Sequence, residues 1–122
     1  MKFFIDDDDD NMIQLMEGLI AASGREVSSA LAGHQAISAI TGMEPDCIIT
    51  DLMMATMDGL ELSDAIRASK TVGDTTIVMA SARDAEHWKD QGAERGADGY
   101  ITKPINSETF VDELLAIMKD AG

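Results

Sequence analysis

The chain has 122 residues, the size of one ordinary domain. Hydrophobic residues make up 45% and aromatics 4%, enough for one core built on Ile, Leu, Val, Met and Ala but not for two. With 23 acids against 9 bases and a net charge of -14, the chain lacks the basic face that nucleic acid or an anionic membrane requires, and it favours cations or basic protein surfaces.

The sequence opens MKFFIDDDDDN. Residues 3–5 read as a short buried strand that runs straight into Asp6, Asp7, Asp8, Asp9 and Asp10. Like charges in a row oppose compaction unless a cation shares them. Met12, Met16, Leu19 and Ile20 then recur at helical spacing, with Gly24 placed to end the helix. A second strand, 26–30, ends in Ala30 and Leu31 and brings no chemistry. Ala36, Ile37 and Ile40 mark a second helix, closed by Gly42 and Pro45. "CIIT", 47–50, is a third strand, followed by Asp51. Leu62, Ala65 and Ile66 mark a third helix. "TIVMA", 76–80, is a fourth strand, followed by Ser81. A weakly patterned helix is expected over 85–95, with Trp88 and Ala93 as its main apolar residues. A fifth strand, 99–102, precedes Lys103. Phe110, Val111, Leu114, Ile117 and Met118 define the last helix, with Ser107 as its N-cap and Glu108 in its first turn.

Nearly all-apolar strands alternating with amphipathic helices predict an α/β fold, residues 1–122 as one domain, with a parallel sheet buried on both faces. No linker, repeat or membrane-length apolar stretch interrupts it. The single Cys47 cannot form an internal disulfide and reads as a buried small hydrophobe, which fits a reducing cytoplasm, and no signal peptide is visible.

The polar residues fall at strand ends. Sites in open parallel sheets form at the carboxyl edge, beside the point where strand order reverses. If strands 1 and 3 are central neighbours, Asp6, Asp7 and Asp51 converge there, with Ser81 and Lys103 alongside. Three such carboxylates cannot all stay ionised unaided. A Mg²⁺ ion, which takes one or two carboxylates and keeps waters for a phosphoryl group, is the simplest help, together with Lys103. Asp51 can then serve as nucleophile toward phosphorus, Lys103 as a neutralising cation and Ser81 as a hydrogen-bond donor.

At this point the chain resembles the response-regulator receiver domain, the CheY-like family, over essentially its whole length. "FFIDD", "CIITDLMMATMDGLEL", "IVMASA" and "GADGYITKPI" carry the resemblance, in order and on the right strand ends. It implies a doubly wound (βα)5 sheet of strand order 2-1-3-4-5. It implies that Asp51 is the phosphoacceptor, and that Asp6, Asp7, Asp51 and the backbone carbonyl of Met53 hold Mg²⁺, with Mn²⁺ as a substitute. Ser81 and Tyr100 become the switch residues, Lys103 the partner of the phosphoryl oxygens, and Lys103-Pro104 a position where the family commonly has a cis peptide. The implied function is a phosphorylation-activated switch of a two-component system rather than a conventional enzyme. A histidine kinase or histidine phosphotransfer protein would be the donor. The face of helix 4, strand 5 and helix 5 would control a downstream protein or a phosphorylation-linked homodimer, without direct nucleic-acid or membrane contact. Ala55 stands where the family usually has proline, and Met53 and Arg83 where it controls water access to the phosphoryl group.

Other readings compete. Asp8 to Asp10 are expected to be a solvated helix start, where negative charge is favourable. Asp6, Asp8, Asp10 and Glu17 match the spacing of a calcium loop, but the five residues before Asp6 read as strand where such a loop needs a helix. An aspartyl-nucleophile phosphatase would carry D-x-D-x-[TV] after strand 1, and the run of five Asp lacks the Thr or Val. A degenerate receiver acting as a binding module would fail to bind Mg²⁺. His34 and His87 read as surface residues, and Trp88 as a packing residue with an interface role left open.

Overall fold

The computed structural model describes residues 1–30, 33–51, 59–69, 73–82 and 96–121, with 33–35, 59–61 and 81–82 as backbone only. The predicted helix at 85–95 lies outside these residues, as do Met53, Ala55, Arg83, His87 and Trp88. Five strands, β1 Lys2–Asp6, β2 Glu26–Ala30, β3 Cys47–Asp51, β4 Thr76–Ala82 and β5 Gly99–Lys103, form one parallel sheet in the order β2-β1-β3-β4-β5. The helices among the described residues are α1 Asp10–Ala22, α2 Gly33–Met43, α3 Gly59–Ala68 and α4 Phe110–Ala121. The α/β architecture is the one expected from the alternating pattern, and the strand order is the one implied by the receiver-domain resemblance.

Alternation along the strands divides the core between two faces. Phe3, Ile5, Cys47, Ile49, Val78 and Ala80 pack with Ile13, Met16 and Ile20 of α1 and Phe110 and Leu114 of α4. Phe4, Ile48, Ile77 and Met79 point the other way and pack with Ala36 and Ile40 of α2 and Leu62 and Ile66 of α3. A sheet sandwiched between two helical layers needs β1 and β3 to be apolar on both sides, and Phe3 to Ile5 and Cys47 to Ile49 are all buried.

Several strand and helix ends differ from expectation. The strands at the centre run one or two residues further toward their carboxyl ends. Asp6 pairs with Ala30 and Thr50, Asp51 with Ala80, Ser81 with Thr102, and Lys103 with Ala82. The polar residues are therefore the last rungs of the ladder rather than loop residues following it. Helix α2 continues through Gly42 to Met43, and the chain then turns through Glu44 at φ 52°. Ser107 is not the cap of α4. The helix starts three residues later, at Phe110, and Asn106 holds the turn leading into it, its side chain accepting from the Glu108 N–H at 2.9 Å and its carbonyl from the N–H groups of Thr109 and Phe110. Gly24 ends α1 as expected, in the left-handed conformation at φ 84°.

Candidate functional site

The carboxyl ends of β1, β3 and β5 deliver acids and a base to one spot, because β1 and β3 are adjacent and β5 lies two strands away. Lys103 Nζ donates to Asp7 Oδ2 at 2.9 Å and lies 3.4 Å from Asp51 Oδ2. Asp7 is 1% exposed, Asp51 13% and Lys103 18% by side chain, so Asp51 and Lys103 keep some contact with solvent while Asp7 is enclosed. Burial alone would lower the Lys103 pKa. The hydrogen bond to Asp7 and the charges of Asp51 and Asp7 outweigh it and raise the ammonium above its usual range. Ser81 sits at the next-to-last position of β4, on the same edge, with its backbone paired to Thr102. The peptide joining Lys103 to Pro104 is cis.

Asp6 is fully buried, and neither of its carboxylate oxygens has a hydrogen-bond partner. Burial, then the neighbouring charges of Asp7, Asp51 and Asp8, push its pKa from 3.8 to about 7. Asp7, Asp8 and Asp51 each offer a carboxylate oxygen, and the three oxygens lie within 4.8 Å of one another. An all-oxygen donor set beside an uncompensated buried carboxyl group fits a hard divalent cation such as Mg²⁺.

The run of five aspartates is thus split by the end of β1 and the start of α1. Asp9 caps α1, its side chain accepting from the N–H groups of Asn11 and Met12, while its own N–H donates to Asp7 Oδ1 at 2.9 Å. Asp10 lies in the first helical turn and accepts from Gln14 at 2.9 Å. Both fit a solvated helix start. Asp8 is exposed, but its carboxylate belongs with Asp7 and Asp51, which the sequence reading did not expect. Glu17 accepts from the Ser29 hydroxyl and is a helical side chain, not the end of a calcium loop, since a strand and not a helix precedes Asp6. Tyr100 is half-buried on β5 and packs against the α2–α3 side of the core. Met53, expected to lend its carbonyl to the metal, lies outside the described residues.

A doubly wound parallel sheet with a lysine-bridged acidic pocket at its carboxyl edge defines a class of α/β proteins whose chemistry sits at the strand-order switch point. Comparison narrows the class, since the response regulator receiver domain matches residues 3–115 and the chain belongs to that family. It is 31% identical over 118 residues to the alkaline phosphatase synthesis transcriptional regulatory protein PhoP of Bacillus subtilis, covering 97% of this chain and 48% of that protein. It is 35% identical to the transcriptional regulatory protein PrrA of Mycobacterium leprae, covering 97% and 49%. The chain therefore spans about half the length of the curated relatives it matches. Among solved structures, the chemotaxis protein CheY4 of Vibrio cholerae superposes with a TM-score of 0.90 at 29% identity, over 95% of this chain and 97% of that one. The receiver domain of Francisella response regulator 1452 superposes at 0.85 and 27% identity, over 99% and 98%. A receiver domain of this family implies phosphorylation-dependent signalling, with a phosphodonor and a downstream effector, and its acidic pocket generally binds Mg²⁺. No described helix is long and apolar enough to cross a membrane.

Proposed function

We propose that the chain accepts a phosphoryl group on Asp51 from a phosphohistidine donor, on a histidine kinase or a histidine phosphotransfer protein, and switches a protein-binding face in response. The observation that carries this reading is the meeting of Lys103 with both Asp7 and Asp51 at the carboxyl edge of the sheet. Asp7, Asp8 and Asp51, whose carboxylate oxygens lie within 4.8 Å of one another, would hold Mg²⁺, which when bound supplies charge neutralisation for the phosphoryl oxygens. Asp51, kept partly open to solvent, is the nucleophile: one of its oxygens bonds to phosphorus while the P–N bond to the donor imidazole breaks. The imidazole leaves with the electron pair and takes up a proton. The Lys103 ammonium, already oriented by Asp7, is within reach of negative charge that builds on phosphoryl oxygens beside Asp51.

Ser81 would then hydrogen-bond the phosphoryl group, and Tyr100 would move further into the core, remodelling the face around β5 and α4 that a partner or a second copy meets. A shift of this kind needs a differential affinity of a few kcal/mol between the two states. Attack by its own Asp51 carboxylate on phosphorus, followed by slow hydrolytic loss of phosphate, makes the chain a reactant in signalling rather than a conventional enzyme. Its relatives of about twice its length are named as transcriptional regulators, so control of transcription through a further segment belongs to the same proposal.

Incubation with acetyl phosphate and Mg²⁺, followed by intact-mass measurement, tests the assignment. A gain of one phosphoryl group is expected for wild type and none for Asp51→Asn. Equal labelling of both would remove Asp51 from the role, and steady turnover of a phosphate ester would point to a phosphatase instead.

A further inference from the structure

Strand β2 stands at one end of the sheet, and no strand lies beyond it among the described residues. Its pairing with β1 is unbroken from Glu26 to Ala30, so no bulge bends its free side away. The Glu26 N–H donates to Met1 O, and Ala30 O accepts from the Asp7 N–H. Residues 26, 28 and 30 therefore turn their backbone groups toward β1, and Val27 and Ser29 turn theirs outward. Edge strands are ordinarily protected by lysine, proline or a bulge. β2 reads EVSSA and has none of these, and its one charge, Glu26, sits at its start.

Helices α1 and α2 pack on opposite faces of the sheet, so a cavity lined by both and by β2 lies alongside that free edge. Its volume is about 450 Å³, and Ile13 of α1 and Ala39 of α2 give it apolar walls. The Ser29 hydroxyl donates to Glu17, and Gln14 donates to Asp10 at 2.9 Å. Two of the cavity's donors are thus spent on its own carboxylates, and it meets a visitor mainly with acceptors. We infer that this edge takes an extended segment of another protein, which adds a strand beside Val27 and Ser29 and places a lysine or arginine side chain in the cavity against Glu17 and Asp10. The balance of 23 acids against 9 bases favours a basic segment of this kind. Backbone pairing holds the segment, and the cavity selects its basic side chain. β2 contributes no residue to the acidic pocket at the end of β1 and β3, so this binding is separate from the phosphoryl chemistry proposed above.

NMR titration of the isotope-labelled chain, without divalent ions, tests the inference. One probe is a short peptide alternating valine and threonine around a central arginine, and the other is the same peptide with glutamate at its centre. The arginine peptide is expected to shift the amides of Val27 and Ser29 and, along the cavity wall, those of Ile13 and Glu17. The glutamate peptide is expected to bind at least about tenfold more weakly, since like charges oppose it. Ser29→Pro deletes an outward N–H and leaves the ladder to β1 whole, as an edge strand allows, and is expected to weaken the arginine peptide by about tenfold. Ser29→Ala keeps that N–H and is expected to stay within about threefold of wild type. Glu17→Gln leaves the backbone untouched and is expected to bring the affinities of the two peptides together. Absence of binding by the arginine peptide at millimolar concentration, shifts that miss β2, or equal affinity of wild type for both peptides would overturn the inference. So would a dimer in sedimentation that Ser29→Pro abolishes, because the edge would then belong to a second copy of the chain.

Discussion

Lys103 Nζ lies 2.9 Å from Asp7 Oδ2, a bond between residues 96 positions apart that ties the last strand of the sheet to the first. The pair is largely shielded from water, so its loss is felt on both sides. Removing the lysine leaves Asp7 buried and uncompensated beside Asp6 and Asp51, and breaking a buried pair from one side costs roughly 3 to 5 kcal/mol. Lys103→Met is therefore expected to lower stability by about 2 to 4 kcal/mol in urea unfolding at neutral pH without divalent ions. Saturating Mg²⁺ is expected to return part of that loss, because the cation takes over the neutralising charge. The folded-state pKa of Lys103 is raised, so its contribution is complete below about pH 10 and disappears only in more alkaline solution.

Asp6 supplies the opposite pH dependence. Its pKa rises from 3.8 to about 7 on folding, so the unfolded chain gives up this proton first. Below about pH 4 both states hold the proton and folding loses nothing. Between there and about pH 7 stability falls, and above that the cost levels off, at an upper bound on the order of 4 kcal/mol. Asp6→Asn is expected to flatten the slope, making the variant more stable than wild type at pH 7.5 without divalent ions and nearly equal to it at pH 4. Urea midpoints across this range check it. Mg²⁺ is expected to stabilise wild type more at pH 7.5 than at pH 5, since it favours the ionised carboxyl group.

Cys47 begins β3 with no exposure at all, and burial first, then the charges of Asp98 and Asp46, push its thiol up to about 12. A neutral, enclosed thiol does not attack disulfide reagents. Labelling by a small aromatic disulfide is expected to be slow in the native state and to accelerate in step with urea. Its rate then reports opening of the sheet centre. Rapid labelling in native buffer would contradict the burial.

Much of the fold was legible because hydropathy period reports burial directly. The nearly all-apolar runs at 3–5, 47–50 and 76–80 became the three central strands, and spacing at Met12, Met16 and Ile20 gave α1. Strand ends were less legible, since backbone pairing fixes them and not side-chain polarity. Asp6, Asp51 and Lys103 are charged and still complete the ladder. The meeting of Asp7, Asp51 and Lys103 on one edge followed once strands 1 and 3 were taken as neighbours, whereas the third carboxylate beside Asp7 and Asp51 is Asp8 and not the buried Asp6. The position of Asp8 did not follow, because its place depends on where β1 stops and on Asp9 starting α1. The start of α4 was placed too early for a similar reason: Ser107 is a good cap by type, but residues 107–109 form a turn held by Asn106 and the helix begins at Phe110.

No spacing rule announced Arg67, whose partners are mostly backbone carbonyls far along the chain. From the last turn of α3 its guanidinium donates to Gly96 O at 3.0 and 2.6 Å, to Gly73 O at 2.8 Å, to Thr75 O at 2.5 Å and to Asp98 Oδ2 at 2.7 Å. Asp98 Oδ2 also accepts from the Ile77 N–H at 2.9 Å, so one fork joins the approach to β4 with the approach to β5. A lysine has one nitrogen and cannot span these acceptors, which leaves partly buried carbonyls without donors. Arg67→Lys is expected to cost about 2 to 3 kcal/mol, and Arg67→Met at least as much. Gly96 faces the same side chain at φ 105°, and an added Cβ would stand 2.6 Å from Arg67 Cγ. Gly96→Ala is therefore expected to cost on the order of 1 to 3 kcal/mol through backbone strain and displacement of the arginine. Because both substitutions disable one fork, the double variant Arg67→Met with Gly96→Ala should lose less than the sum of the two single losses. Urea unfolding of the four proteins measures that coupling, and full additivity would show that Gly96 and Arg67 act independently.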